Sequence, residues 1–357
     1  MTTLTTSIAV ERTTKSKLKE TDFNNLEFGK YISDHMLVAD YLNNKWQEPK
    51  IVPFGEILMS PAMLSLHYGQ SVFEGMKAFK NSKGDICIFR PQKHSARLNK
   101  SLARMCMPQI SEEMFIQTLH AIVEADQDWI PTSEGSSLYL RPFVFAFEPR
   151  IGVKVADHFK YIIITSPCAA YFSKPVRLKV EVDYVRAAEG GTGFAKCAGN
   201  YGGAFYPTQM AREQGFDSVL WTDAKEHKYI DEAGVMNVMF VINGKLITPK
   251  LTTALLDGVT RDSILTLAPE LGMEVEERRV SVQEIKEAFE KGTISEAFGA
   301  GTAAVVSPIA TINIHGTDYN LPAASADSFQ QRVKTKLNNI RLGIEPDVHG
   351  WNYIIPA

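Results

Sequence analysis

Lys196 stands in Glu189-Gly-Gly-Thr-Gly-Phe-Ala-Lys196-Cys-Ala-Gly-Asn-Tyr201, one amine in a glycine-rich segment with a phenol five residues further on. An amine is a nucleophile only when enough of it is neutral, and burial or a neighbouring cation favours that form. Lys196 is therefore a candidate Schiff-base lysine. The glycines let the backbone approach a flat ring, and the Tyr201 hydroxyl is a candidate donor to a ring oxygen. The segment is not a phosphate-binding P-loop, because Ala195 and Cys197 replace the glycine and the Ser or Thr that such a loop carries around its lysine. A second reactive stretch is Ile230-Asp-Glu-Ala-Gly-Val-Met-Asn237. Side chains alternate along a strand, so only one of Asp231 and Glu232 can face a given site.

Two further stretches bear on phosphate. Asp257-Gly-Val-Thr-Arg261 precedes the helical spacing of Ile264, Ala268 and Leu271. This puts the amides of Val259 and Thr260 and the Thr260 hydroxyl at a helix N-terminus, which attracts anions. Thr260 can equally serve as the cap of that helix, which Gly272 would close. Gly299-Ala-Gly-Thr-Ala-Ala304 nearly spells the dinucleotide fingerprint. That fingerprint needs a helix directly afterwards, and Val305-Val-Ser-Pro308 supplies β-branched residues and a proline instead.

The elements that must position these residues fall into two halves. In the first, Phe115, Leu119, Ile122 and Val123 keep helical spacing behind Ser111, and Leu138 to Phe145 reads as a strand. In the second, Val235 to Ile242, Asn243-Gly244 and Lys245 to Thr248 make a hairpin, since Asn-Gly supplies the positive φ angles of a type I′ turn. Ser281-Val-Gln-Glu284 is a capping box opening a helix that Gly292 closes. The expected organisation is a smaller α+β domain at 1–165, a linker at 166–175 and a larger mixed α/β domain at 176–357, with 1–22 a flexible tail. The Ser/Thr-rich start resembles a transit peptide only faintly, since Glu11 and Glu20 interrupt it and no amphipathic pattern appears.

Composition narrows the partners. The 357 residues are 45% hydrophobic, and 38 basic against 41 acidic residues are mixed along the chain for a net charge of −3. This gives no electrostatic case for nucleic acid or an anionic membrane and points to a small-molecule partner. No apolar run nears the ~18 residues of a membrane span. Cys87, Cys106, Cys168 and Cys197 are widely separated, form no metal-ligand pairs and suit reduced thiols in the cytoplasm.

Together these stretches resemble the branched-chain amino-acid aminotransferases, pyridoxal-phosphate enzymes of fold type IV. The resemblance runs from Phe28-Gly-Lys30 and Asp34-His-Met36 through Ser65-Leu-His-Tyr-Gly-Gln-Ser-Val-Phe-Glu-Gly75 and Ser137-Leu-Tyr-Leu-Arg-Pro142 to Asp257–Arg261 and Phe298-Gly-Ala-Gly-Thr-Ala303. It implies a two-domain, mixed α/β fold like that of D-amino-acid aminotransferase, with the cofactor pyridoxal 5′-phosphate between the halves and a homodimer as minimal unit. It implies transamination of L-leucine, L-isoleucine or L-valine with 2-oxoglutarate, giving branched 2-oxo acids and L-glutamate.

Residue by residue, the resemblance makes Lys196 the cofactor lysine and the proton carrier, and Glu232 the partner of the ring nitrogen. Arg97, Val259, Thr260 and Thr302 become phosphate contacts, and Tyr201 the phenol at the ring. Tyr68, Phe73, Tyr139 and Arg141, on strand-like segments, become substrate-facing. Tyr139 and Arg141 share one strand face at i and i+2 and would hold the distal carboxylate of glutamate. Phe73, Tyr201 and Val235 would line the side-chain pocket. Val153 would enter from a partner subunit, Tyr171 would close over substrate, and the amides of Ala303 and Ala304 would face the substrate carboxylate. Two departures stand out: Val235 where many relatives carry Thr, Ser or Gly, and Ala304 and Ser307 where some carry a Cys-x-x-Cys pair. A D-amino-acid aminotransferase or an aminodeoxychorismate lyase shares the lysine and glutamate, but the longer first half and the Tyr139-x-Arg141 pair favour the branched-chain type. From other classes, a dinucleotide-dependent dehydrogenase would use Gly299 to Ala304, and a non-catalytic protein would hold the cofactor without turnover.

Overall fold

The computed structural model describes residues 8–169, 174–303 and 305–357, and the chain divides into two compact units. The first unit takes residues 1–171, 195–198 and 340–357; the second takes 172–194 and 199–339. These bounds depart from the expected ones in two places, because 195–198 and 340–357 join the first unit.

The first unit is a ten-stranded sheet among the described residues. Its centre is the antiparallel run His35–Leu42, Phe159–Cys168, Ser137–Ala146, Met76–Lys80 and Ile86–Phe89, closed at the edge by Asn352–Ile355. Helices Pro91–Arg104 and Glu112–Ala125 supply the apolar side chains that pack with the sheet, with Leu98, Leu102, Phe115, Leu119, Ile122 and Val123 all in one buried cluster. Ser111 caps the second helix as expected, its Oγ accepting from the Met114 amide at 3.1 Å. A cap of this type contributes about 1 kcal/mol. Residues expected to trail as a tail are instead tied down: Ala9–Val10 pairs with Lys50–Pro53, the Lys17 amide donates to Asp34, and the Thr13 amide donates to His35.

The second unit is built on a ring of six strands. Ile230–Ala233 pairs with Ser218–Thr222 on one side and Met236–Ile242 on the other, and the path through Val176–Val180, Val305–Ile314 and Ile294–Gly301 closes between them. Closure removes the unpaired edges of these strands. Leu178, Leu220, Val238, Phe240, Ala297 and Ile312 share the buried cluster of this unit. The hairpin forms as read, with Asn243 at φ 51° and Gly244 at φ 74° between Met236–Ile242 and Lys245–Pro249. The capping box forms too, with Ser281 Oγ accepting from the Glu284 amide at 3.0 Å. Val305–Ile314 is a strand, so no helix follows Gly299–Gly301 and the dinucleotide fingerprint has no structural basis. Among the described residues no helix is long and apolar enough to cross a membrane.

Candidate active site

In the first unit, the lysine segment lies along the strand Ser71–Phe73. The Phe73 amide donates to the Lys196 carbonyl at 3.0 Å, and the Ala198 amide to the Ser71 carbonyl at 3.0 Å. The Lys196 amide donates to Ser101 Oγ at 2.9 Å, and that hydroxyl in turn donates to the Arg97 carbonyl at 3.0 Å. These main-chain bonds draw the lysine into the first unit and set it against the helix Pro91–Arg104. Its Nζ lies 4.7 Å from the centre of the Phe73 ring. Arg141 lies over the same ring at 4.6 Å, and its Nη2 donates to the Tyr139 hydroxyl at 3.1 Å. One phenyl ring thus carries both the candidate nucleophile and a guanidinium able to hold a carboxylate. Gly75 makes this possible, because a Cβ there would collide with the Tyr139 hydroxyl.

Arg97 is fixed by a residue that the sequence reading passed over. Glu74 is fully buried, and it accepts from Arg97 Nε at 2.7 Å and Nη2 at 2.8 Å, and from His94 Nδ1 at 2.7 Å. Burial raises the Glu74 carboxyl, but the Arg97 charge and hydrogen bonds, aided by His94, outweigh it and hold the group well below the usual carboxylate range. Burial lowers His94, opposed by Glu74 and reinforced by the Arg97 and Lys196 charges. A neutral His94 donating from Nδ1 satisfies the geometry. The available signal was helical spacing: His94 and Arg97 sit at i and i+3, hence on one face, across from a carboxylate between Phe73 and Gly75.

In the second unit, Glu232 is 3% exposed on its strand. Its Oε1 accepts from the Leu256 amide at 2.7 Å and lies 3.4 Å from Asn237 Nδ2, and its Oε2 is 3.2 Å from Arg186 Nε. Arg186, also missed from sequence, is itself anchored on the Gly193 and Ala254 carbonyls. Asn237 donates to the Leu256 carbonyl at 2.9 Å, and a Cβ on Gly258 would collide with its Oδ1. Gly258, not Thr260, takes the cap position of the helix Val259–Glu270, without a side-chain cap. Thr260 falls inside the first turn and is buried, so the expected Thr260 cap is corrected: glycine is the residue that fits beside Asn237. Gly272 closes the helix at φ 75°.

Asp231 and Glu232 point to opposite faces, as strand alternation requires. Asp231 lines a separate cavity of the same unit and is pushed up to about 7, chiefly by burial and then by the Glu232 charge. A carboxyl raised in the fold favours the folded state while protonated, so its contribution falls as pH rises from about 4 toward 7. Asp231→Asn is therefore expected to melt higher than the parent at pH 8, with the gain vanishing near pH 4. Melting curves across that range test it, and an equal gain at both ends would contradict the assignment.

The remaining sequence-selected residues are more scattered. Tyr68 ends the short helix Leu64–Tyr68 rather than a strand, and its hydroxyl donates to the Ile151 carbonyl. The reason is the left-handed Gly69, at φ 65°, which stops a helical turn there. Val153 is 82% exposed and Val235 61% exposed, so within this chain neither lines a closed pocket. Tyr201 lies in the short helix Gly199–Gly202. Thr302 and Ala303 form the turn after the strand Ile294–Gly301. Tyr171 and Ala304 lie outside the described residues.

Comparison with known proteins agrees with this chemistry. Residues 71–312 match the family "Amino-transferase class IV". The chain is 46% identical over 355 residues to a Staphylococcus aureus protein named "Probable branched-chain-amino-acid aminotransferase", covering 98% of this chain and 99% of that one. It is 42% identical over 355 residues to "Branched-chain-amino-acid aminotransferase 2" of Bacillus subtilis, covering 98% of each. Among solved structures it resembles the branched-chain amino acid aminotransferase of Escherichia coli, with a TM-score of 0.70 at 25% identity over 88% of this chain and 98% of that one. With a family model spanning most of the chain and full-length relatives above 40% identity, this protein belongs to the branched-chain-amino-acid aminotransferases of the class IV, fold type IV family.

Proposed function

We propose that the protein transfers the amino group of L-leucine, L-isoleucine or L-valine to 2-oxoglutarate, using pyridoxal 5′-phosphate. The observation that carries this reading is the pair of cations on Phe73: the Lys196 amine at 4.7 Å and the Arg141 guanidinium at 4.6 Å. The donor set fits the cofactor in both units. The first offers an amine and a buried arginine, and the second a buried carboxylate held by Arg186 and a twelve-residue helix that opens on a bare glycine.

When bound, pyridoxal phosphate supplies an aldehyde that takes up an amine and a ring that accepts the electron pair left when an α-proton departs. Lys196 would hold that aldehyde and, once freed by the incoming amine, would move the proton between the substrate α-carbon and the cofactor C4′ as general base and acid. Glu232 keeps the ring nitrogen protonated by opposite-charge stabilisation. Arg97, the Val259 and Thr260 amides and the Thr302 hydroxyl hold the phosphate, and Tyr201 donates to the ring oxygen. Tyr139 and Arg141 take the distal carboxylate of glutamate, and the Ala303 and Ala304 amides the α-carboxylate. Phe73, Tyr201 and Val235 line the pocket for an apolar side chain, Tyr68 faces the substrate, Val153 enters from a second copy and Tyr171 closes over it, so discrimination among the three substrates is weak, about 1–3 kcal/mol per methylene.

Val153 and its exposed neighbour Ile151 present apolar side chains to solvent, which supports a homodimer in which a second copy covers them. Four free cysteines support a reducing, cytoplasmic setting. The test is the visible spectrum of the protein purified with its cofactor. L-Leucine without any keto acid is expected to abolish the visible band, and D-alanine to leave it; absence of any band after reconstitution would refute the cofactor assignment.

A further inference from the structure

The second unit contains a cavity of about 410 Å3 on the face of Ile230–Ala233 that Asp231 lines. Asp231 is 9% exposed, and among the described residues its carboxylate accepts no hydrogen bond and joins no ion pair. A buried carboxylate in that condition carries a desolvation cost that the Arg186 charge offsets only in part. The nearby Asp223, by contrast, is saturated: Oδ1 accepts from the Lys228 and Tyr229 amides, and Oδ2 from those of Lys225 and Glu226. Convergent metal ligation is therefore not what Asp231 offers. A lone acceptor of this kind suits an ammonium.

The rest of the lining mixes both signs: Glu189, Asp223 and Glu226 stand with Lys225, Lys250 and Arg279. Lys225 and Lys250 are exposed members of it, and neither has an ion-pair partner among the described residues. Arg279 lies 4.9 Å over the Tyr229 ring and 3.7 Å from Glu189. Pro249 and Ala254 add apolar wall. The volume falls within the range of small-molecule sites.

We propose that this cavity binds a free α-amino acid, its ammonium on Asp231 and its carboxylate on Lys250 and Lys225, with an aliphatic side chain against Pro249 and Ala254. The site is independent of the transamination chemistry, although it shares a strand with Glu232. An anion alone meets the Asp231 carboxylate unfavourably. An amine alone forgoes the lysines.

The test is calorimetric titration of the full-length, cofactor-loaded protein with cycloleucine, an amino acid whose α-carbon bears no hydrogen and so cannot be turned over. Loss of a charge-assisted hydrogen bond predicts that Asp231→Asn weakens binding about tenfold or more. Lys250→Glu, on the exposed wall, should weaken it several-fold and keeps the test decisive if the Asp231 variant does not fold. Lys196→Ala should leave this binding within about twofold. No binding at 20 mM ligand (roughly the weakest useful affinity for such a site), or binding lost with Lys196→Ala and untouched by Asp231→Asn and Lys250→Glu, would overturn the proposal.

Discussion

Lys196→Ala is expected to reduce turnover of L-leucine with 2-oxoglutarate by more than about 10^4-fold, because in the proposed mechanism one amine is both the covalent anchor and the proton carrier. The fold should survive. What ties this residue to the first unit is main chain: its amide donates to Ser101, and its carbonyl accepts from Phe73. Alanine keeps both bonds. The side chain gives up its place over Phe73, a contact of about 0.5–1 kcal/mol in a partly exposed setting. A coupled dehydrogenase assay for the keto acid, run beside a melting curve, separates the two effects. Near-normal turnover would sink the mechanism, and a collapsed melting transition would mean that the lysine side chain is structural.

Glu74→Ala should be the most damaging change to stability near the site. It removes the acceptor of two Arg97 hydrogen bonds and one from His94 while leaving the guanidinium buried. Stranding one partner of a buried ion pair costs about 3–5 kcal/mol. The pH dependence follows from the depressed Glu74 carboxyl: its contribution is complete above the ordinary carboxyl value of 4.5 and is lost as pH falls below it. Urea unfolding at pH 7 and near pH 4 should therefore show a smaller penalty in acid. Glu74→Gln, which keeps the shape and drops the charge, should fall between parent and alanine. A pH 7 loss below about 1 kcal/mol would show that Arg97 finds another partner, and its place at the phosphate would need revision.

Much of the local architecture was legible beforehand. The hairpin at Asn243-Gly244, the caps at Ser111 and Ser281 and the strand read over Leu138 to Phe145 all formed, and the β-branched run after Gly301 is a strand where only a helix had been ruled out. Each depends on backbone preferences and hydrogen bonds spanning a few residues. The readings that failed were of two kinds. Thr260 yielded the cap to Gly258, since the fit beside the Asn237 side chain decides that position. Tyr68 left its strand because a neighbouring glycine turned left-handed.

Sequence alone singled out the candidates, Lys196, Glu232, Arg97, Tyr139 and Arg141 among them, because residue type, short-range spacing and the motifs that carry the family resemblance are written in the chain. Only the tertiary structure decided what holds them. Glu74 meets Arg97 across 23 positions, Arg186 lies 46 positions before Glu232, Lys196 is drawn to Ser101 across 95, and Asn352–Ile355 closes a sheet edge begun at Ile86–Phe89. Such pairings leave no local pattern. A buried charge selects whichever opposite charge the packed strands and helices bring within about 3 Å, and that choice exists only once the chain is folded.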